Sequence, residues 1–412
     1  MKKIAVIGAG VSGLTAAQEL SQRYCVRVFE REMMPGGLIR CQRVEGNLFH
    51  LCGGHVFNTK RLDVLKWFWR RFDQQSDFIL ADRNSAVGFG DGRIVPYPIE
   101  NHLYCLEEPI QRSIVQDLLA MATGTTEQVD NFKAFLLSRF GKTLYDLYFG
   151  PYNAKVWRRD LSKVPLSWLE GKLPMPTIAE ILLANMNHVE EKQFVHSTFW
   201  YAKENGSQFI AGELANGIDV TYGVACDEIE VVEDGCRVCG ELFDRIVYSG
   251  NLQEIPKIVK GVDFGDAMLT EIAGLESHGT TSVLCEIDPN PYSWLYQPSP
   301  CHRSHRIICT GNFSPANNRS ERLSATVEFT DEITRDEIME QLPLMPFHPC
   351  YMAHNYNRVT YPIQHANTRS LVQDVRSLLA RHNIYLVGRF AEWEYYNMDA
   401  AMASALDLVK KI

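Results

Sequence analysis

Positive charge is scarce in this sequence: 41 lysines and arginines against 50 aspartates and glutamates leave a formal net charge of −9. Proteins that track phosphate backbones concentrate Lys and Arg, so no nucleic-acid partner is expected. Any small anionic substrate must be met by a few local cations. Long apolar runs are missing too. None reaches the ~18 residues that span a bilayer, and the apolar stretch Ile4–Leu14 is interrupted by Gly8, Gly10 and Gly13. It therefore reads as a strand and a turn rather than a signal peptide, and no membrane span is expected. Cysteine forms no framework: the 11 residues are odd in number and irregularly spaced. That points to reduced thiols and a cytoplasmic setting. The Cys236-x-x-Cys239 pair lies in a hairpin-like stretch with no second pair and no nearby histidine. It reads as two strand cysteines, and no metal site is expected. No internal repeat or low-complexity tract is present.

What remains is an ordinary globular composition, 46% hydrophobic and 22% charged, in a chain of 412 residues. That length exceeds one core of usual size, so two or three lobes with a ligand crevice between them are expected. Ile4–Ile7 reads as a buried strand, Leu14, Ala17 and Leu20 as one face of a helix, and Val26–Phe29 as a second strand: a βαβ unit. A helix over Leu62–Phe72 and a hairpin over Ala86–Val95 follow. From Leu106 to about Ala184 the pattern is helical, with Ile110, Ile114, Val115, Leu118 and Leu119 on one face and Phe132, Phe135, Leu136 and Phe140 on another. Phe209–Val247 reads as strands and a hairpin. Thr281–Ile287, Arg306–Thr310, Ala325–Thr330 and Tyr351–Tyr361 are extended segments that suggest an antiparallel sheet. An amphipathic helix over Leu371–Leu379, a strand over Ile384–Val387 and a helix from Ala400 close the chain.

Gly8-Ala-Gly10-Val-Ser12-Gly13 joins the first strand to the first helix. The first glycine permits the tight turn, the second lets the backbone approach a pyrophosphate, and the third allows close helix packing. The helix N-terminus then faces the negative charge. Glu30 closes the next strand roughly twenty residues on, where a carboxylate accepts hydrogen bonds from ribose hydroxyls. Pro35-Gly36-Gly37 is similar to the extended dinucleotide motif of flavoprotein oxidases and their relatives, and Val387-Gly388-Arg389 resembles the segment that completes their FAD site. The cofactor expected is therefore FAD. The fold expected is α/β: an FAD-binding Rossmann-like domain (1–60, 195–262 and 371–412), an inserted helical lobe (106–194) and an antiparallel β-sheet substrate domain (61–105 and 263–370).

At Cys52-Gly-Gly-His-Val-Phe57 the sequence resembles the UDP-galactopyranose mutase family, flavin-dependent enzymes that interconvert pyranose and furanose nucleotide sugars. Further similar stretches follow in the same order: Val95–Asn101, Pro151–Trp157, Trp294–Tyr296, Asn312–Pro315, Tyr361-Pro362, and Gly388–Tyr395 with Met398-Asp399. The resemblance implies an isomerase without net oxidation. In it, N5 of reduced FAD attacks the anomeric carbon, the nucleoside diphosphate leaves, and the sugar recloses through another hydroxyl. It implies a cofactor site of Gly8, Gly10, Ser12, Gly13, Glu30, Arg31, Gly36, Gly37 and Leu38, completed by Gly54, His55, Gly388, Arg389 and Met398. His55 is placed beside the flavin N5 and Arg389 against the flavin. Arg306 clamps the diphosphate, with hydroxyls from Tyr361 and Tyr395. Tyr97 packs near the nucleobase, Tyr296 near the sugar, Trp157 lies on the lobe that shapes the pocket mouth, and Tyr152, Asn153 and Glu100 complete the implied substrate site. A UDP-sugar is the first expectation, GDP- and dTDP-sugars stay open, and so does a homodimer.

Two departures stand out. Gly150 replaces an arginine expected from the fungal-type enzymes, and Arg158 and Arg303 are the cations considered for its place. Glu100 replaces a base-contacting glutamine. A carboxylate only accepts hydrogen bonds, which suits the paired donors of guanine better than the single edge donor of uracil or thymine. The competing reading is an FAD-dependent oxidase or desaturase of the amine oxidase or protoporphyrinogen oxidase type.

Overall fold

The computed structural model describes residues 1–123, 129–166, 176–189 and 197–412. Parts of the expected helical lobe (124–128, 167–175, 190–194) and the expected start of the returning nucleotide segment (195–196) lie outside the described residues.

The nucleotide-type domain is built on a parallel sheet in the order Ile384–Leu386, Arg245–Tyr248, Lys3–Ile7, Cys25–Glu30, Asp219–Tyr222. Side chains alternate across a strand, and the first strand uses both faces. Ile4 and Val6 join one core with Leu14, Ala17, Leu214 and Met402, from three helices. Ala5 and Ile7 join another with Ile229, Phe243 and Val375, beneath a small hairpin sheet and the helix Thr368–Ala380. Each buried Ile, Leu, Val, Phe or Met among them contributes roughly 1.5–3 kcal/mol. The layering holds the glycine turn after Ile7 rigidly at the carboxyl edge of the sheet. The helix Leu62–Arg71 packs Val64, Trp67 and Phe68 into the first of these cores, although the sequence groups it with the substrate domain.

A seven-stranded sheet forms the second layer, in the order Cys350–Ile363, Glu276–Ile287, Leu323–Thr330, Arg306–Ile308, Trp294–Tyr296, Ser85–Gly88, Ile94–Pro96. It is antiparallel except where Trp294–Tyr296 runs parallel to Ser85–Gly88. The helical lobe comprises Glu108–Thr123, Phe132–Leu144, Gly150–Trp157 and Ile178–Met186, and Asn131 caps the second helix by accepting from the Ala134 amide at 2.9 Å.

Two sequence expectations change. Phe209–Ala215 is not strand but the end of a helix, Ser207–Ala215, which buries Ser207, Ile210, Ala211 and Leu214. That spacing of three, four and seven is helical. In the lobe, Ile114 and Leu118 are buried while Val115 and Leu119 face outward, so the apolar stripe is narrower than read.

Candidate active site

The glycine turn is a cradle of backbone. Gly8 lies at φ +100°, and a side chain on Gly13 would run into the Gly8 carbonyl. Gly36 donates its N–H to the Ala9 carbonyl at 2.8 Å, and a Cβ on Gly37 would stand 3.3 Å from the Gly10 Cα. The two glycine segments therefore lie against each other. The helix Val11–Leu20 begins at Gly10 with no side-chain cap and no acid in its first turn. Its leading N–H groups thus suit an anion. Glu30 is buried and accepts from the Ala9 and Glu32 amides at 2.6 and 2.9 Å, which leaves lone pairs for ribose hydroxyls. Gly388, at φ +92°, would place a Cβ 2.5 Å from the Ser12 hydroxyl. Met398 is buried at the start of the last helix. Leu38 sits in the short turn Gly37–Ile39, and the Arg31 side chain is largely exposed beside Glu32. This pyrophosphate- and ribose-sized cradle of backbone amides fits a dinucleotide such as FAD.

Toward the substrate sheet the cations and phenols converge. Arg306 Nε donates to Glu328, and its Nη2 donates to the Tyr361 hydroxyl at 3.1 Å. Tyr361 stacks on Tyr395 with centroids 5.4 Å apart and planes 9° from parallel, and the Arg389 guanidinium lies 4.8 Å from the Tyr395 ring centre. Arg389 is anchored by the carbonyls of Thr360 and Tyr396. Burial alone would raise Glu328, but Arg306 and then His305 hold it down at about 2. Burial is the largest single influence on Arg306 and lowers it, but Glu328 first, with Tyr361 and Tyr152, together hold it above its usual value, so it stays charged. Burial raises the Tyr361 phenol well above its usual range, with Arg306 opposing, so it stays a donor. His55 is pushed down to about 4, by burial first and Arg389 next, and its Nε2 is buried with no hydrogen-bond partner among the described residues. Gly54 is the close-approach residue of this turn: a Cβ there would meet Ile308 at 2.6 Å.

An aromatic wall continues from Arg306. Tyr97 and Tyr296 are 4.9 Å apart, Tyr152 meets Tyr296 edge-on at 5.5 Å, and Tyr148 stacks on Tyr152 at 5.4 Å. Glu100 joins its far end. Burial pushes the Glu100 carboxyl up to about 7, its Oε2 has no partner among the described residues, and its charge bears on the Tyr148 phenol. Asn153 donates locally to the Phe149 carbonyl at 2.7 Å, and Trp157 packs on the lobe core.

The structure brings His55, Arg306, Tyr361, Tyr395 and Arg389 into one cluster. Arg158 and Arg303 do not join it: they pair with Asp331 and Glu337. Glu328, Cys52, His305 and Lys155 were not singled out from sequence. A charged residue at an inward position of the apolar strand Leu323–Thr330 was the available signal for Glu328. Val224, whose amide donates to the Glu30 carbonyl at 3.0 Å, also borders the ribose end, and no local motif marked it.

Fold and cradle together define a dinucleotide-binding α/β protein whose crevice is roofed by an antiparallel sheet. The NAD(P)-binding Rossmann-like domain family matches residues 6–72. The chain is similar to a probable UDP-galactopyranose mutase of Klebsiella pneumoniae, 26% identical over 182 residues, 42% of this chain and 45% of that protein. It is also similar to a dTDP-fucopyranose mutase of Escherichia coli, 25% identical over 181 residues, 42% of this chain and 46% of that protein. The matched stretches thus span less than half the length of these curated relatives. A reduced UDP-galactopyranose mutase crystal structure shares the fold across 100% of this chain and 93% of its own, with a TM-score of 0.88 at 22% identity. A putative protoporphyrinogen oxidase from Exiguobacterium has a TM-score of 0.76 at 12% identity, over 100% of this chain and 98% of its own.

Proposed function

We propose that this protein is an FAD-dependent mutase that interconverts the pyranose and furanose forms of a nucleotide-diphosphate sugar. The observation that carries the reading is the Arg306–Tyr361–Tyr395 group, set against Arg389 and His55 at the edge of the dinucleotide cradle. When bound, reduced FAD supplies the nucleophile for the anomeric carbon. The chain's residues do the rest. Arg306 grips the diphosphate, and the two phenols donate to it. As negative charge develops on the leaving group, the fixed guanidinium stabilises it without reorganising. Glu328 holds Arg306 in place and charged. His55 is neutral near pH 7 and offers a ring nitrogen toward the cofactor. Tyr97, Tyr152 and Tyr296 wall the sugar and base from water.

The names of the two relatives support a UDP- or dTDP-sugar. The Oε2 of Glu100 has no partner among the described residues, and a carboxyl raised to about 7 can accept from or donate to a base edge, which keeps a GDP-sugar in view beside UDP- and dTDP-sugars. Incubating the dithionite-reduced protein with UDP-, dTDP- and GDP-sugars, and separating ring isomers by chromatography, tests the function. Isomerisation without stoichiometric oxygen or electron-acceptor consumption is expected. Turnover of an amine or porphyrinogen, with no sugar nucleotide isomerised, overturns the proposal.

A further inference from the structure

A lysine with no role in the reading above stands where three site-bearing elements meet. The helix Gly150–Trp157 carries Tyr152 and, three residues on and therefore on the same face, Lys155. Lys155 Nζ donates to the carbonyls of Gln297 and Ser304, each at 2.9 Å. Those carbonyls are the two ends of the loop that joins Trp294–Tyr296 to Arg306–Ile308. One directly follows Tyr296; the other lies two residues ahead of Arg306. The Ser304 end of the loop is also held by Arg303, which bonds Gln341 and Glu337, and by the His305 amide, which donates to the Glu328 carbonyl at 3.2 Å; the Gln297 end has fewer ties. Both polar atoms of the buried Gln297 amide have no partner among the described residues, so Gln297 is tied by its backbone, through its N–H to the His305 carbonyl at 2.9 Å and its own carbonyl to Lys155.

The ammonium is part-buried with no carboxylate paired to it among the described residues, and burial pushes it down to about 7, with Cys301 alone opposing. The titratable groups facing it from the loop are Cys301, His302 and His305, and both histidines are lowered by burial first and by Lys155 among the other causes. Its own helix has no acid, and Arg158 just beyond it is paired with Asp331. A neutral amine retains two N–H donors. The two carbonyl contacts therefore outlast deprotonation.

We propose that Lys155 is a positioning residue: it fastens the Tyr152 helix to both ends of the Tyr296–Arg306 loop and so sets the distance between the aromatic wall and the anion-gripping arginine. The functional consequence rests on the reading of Arg306 as the diphosphate contact; the fastening itself does not. Hydrogen exchange of the ligand-free holoprotein tests it, with Lys155→Met and Lys155→Arg. In Lys155→Met, amides of 150–157 and 297–306 should exchange on the order of tenfold faster, with the Rossmann sheet unchanged and Lys155→Arg near wild type. With a nucleotide sugar that the wild type isomerises, Lys155→Met should raise KM about tenfold while kcat changes less than about threefold. Unchanged exchange in both segments, or loosening spread over the whole chain, overturns the inference. If the Met variant is insoluble, Lys155→Gln, which keeps an N–H donor at shorter reach, is read by the same criteria. A wild type that isomerises no nucleotide sugar defeats the functional reading, and the exchange result then still decides the fastening.

Discussion

The Arg306–Glu328 pair shows how one buried carboxylate governs a site. Glu328 is fully buried and keeps its charge because Arg306, and after it His305, offset the burial, while Arg306 is itself fixed by the pairing. Replacing Arg306 with lysine keeps the charge and loses the planar fork. Arg306→Lys is therefore expected to lower kcat/KM about 100-fold, roughly 2.7 kcal/mol. Arg306→Ala should also destabilise the fold by about 3–5 kcal/mol, because Glu328 is left buried and unpaired. Kinetics and denaturant unfolding on the two variants separate these effects. Acid should loosen the same region. His50 and His55 are lowered to about 3 and about 4, both by burial first, so between an unfolded value of ~6.5 and those values the unfolded chain binds more protons. Stability must therefore fall as pH drops through this window, at up to about 1.4 kcal/mol per pH unit for each histidine. Glu328 acts in the same direction lower down: its contribution is present above its unfolded value and lost as pH falls toward about 2. Glu100, raised to about 7, opposes part of this between pH 7 and about 4.5; with two histidines acting against it, thermal unfolding between pH 7 and 4 should still show a net fall in Tm, less steep in His50→Gln. Arg306, Tyr361 and Tyr395 were legible from motif order, whereas Glu328 was not, since a lone acid in an apolar strand names no partner until the sheet is folded.

At the level of elements, local chemistry decided what could be read. The first βαβ unit was plain because Ile4–Ile7, the glycine turn and Leu14–Leu20 each carry their own period and punctuation. The helix Ser207–Ala215 was missed because it is short, starts at Gly206 without a side-chain cap, and runs straight toward genuine strands. The seven-stranded sheet was seen as extended segments, but its order depends on contacts between residues more than 200 apart, such as Ser85 with Trp294. Gly388 ties the last strand to the first helix. At φ +92°, with the Ser12 hydroxyl only 2.5 Å from where a methyl would stand, Gly388→Ala should cost on the order of 1–3 kcal/mol in backbone strain and purify with little or no FAD. Flavin absorbance per protein in wild type and variant checks this; equal flavin content would contradict it.

For the whole molecule, the net charge of −9 means that anion binding depends on a local arrangement rather than a general field. In the proposed function Arg306 and Arg389 supply that arrangement, the aromatic wall leads from them to Glu100, and base choice is a property of that far end. Competition between UDP and GDP for the holoprotein measures it: a clear preference for UDP removes the case for guanine, and Glu100→Gln should move a GDP-preferring protein toward UDP by about tenfold. The architecture as a whole is shared by a mutase and a putative oxidase, so fold alone does not choose the chemistry. The most direct measurement is a titration of the FAD-loaded protein with nucleoside diphosphates, following the flavin spectrum in wild type and Arg306→Lys. Saturable spectral change with at least one diphosphate, and a Kd raised about tenfold or more in the variant, is the result predicted. A flavin spectrum indifferent to UDP, dTDP and GDP alike, or equal affinity in both proteins, would contradict it.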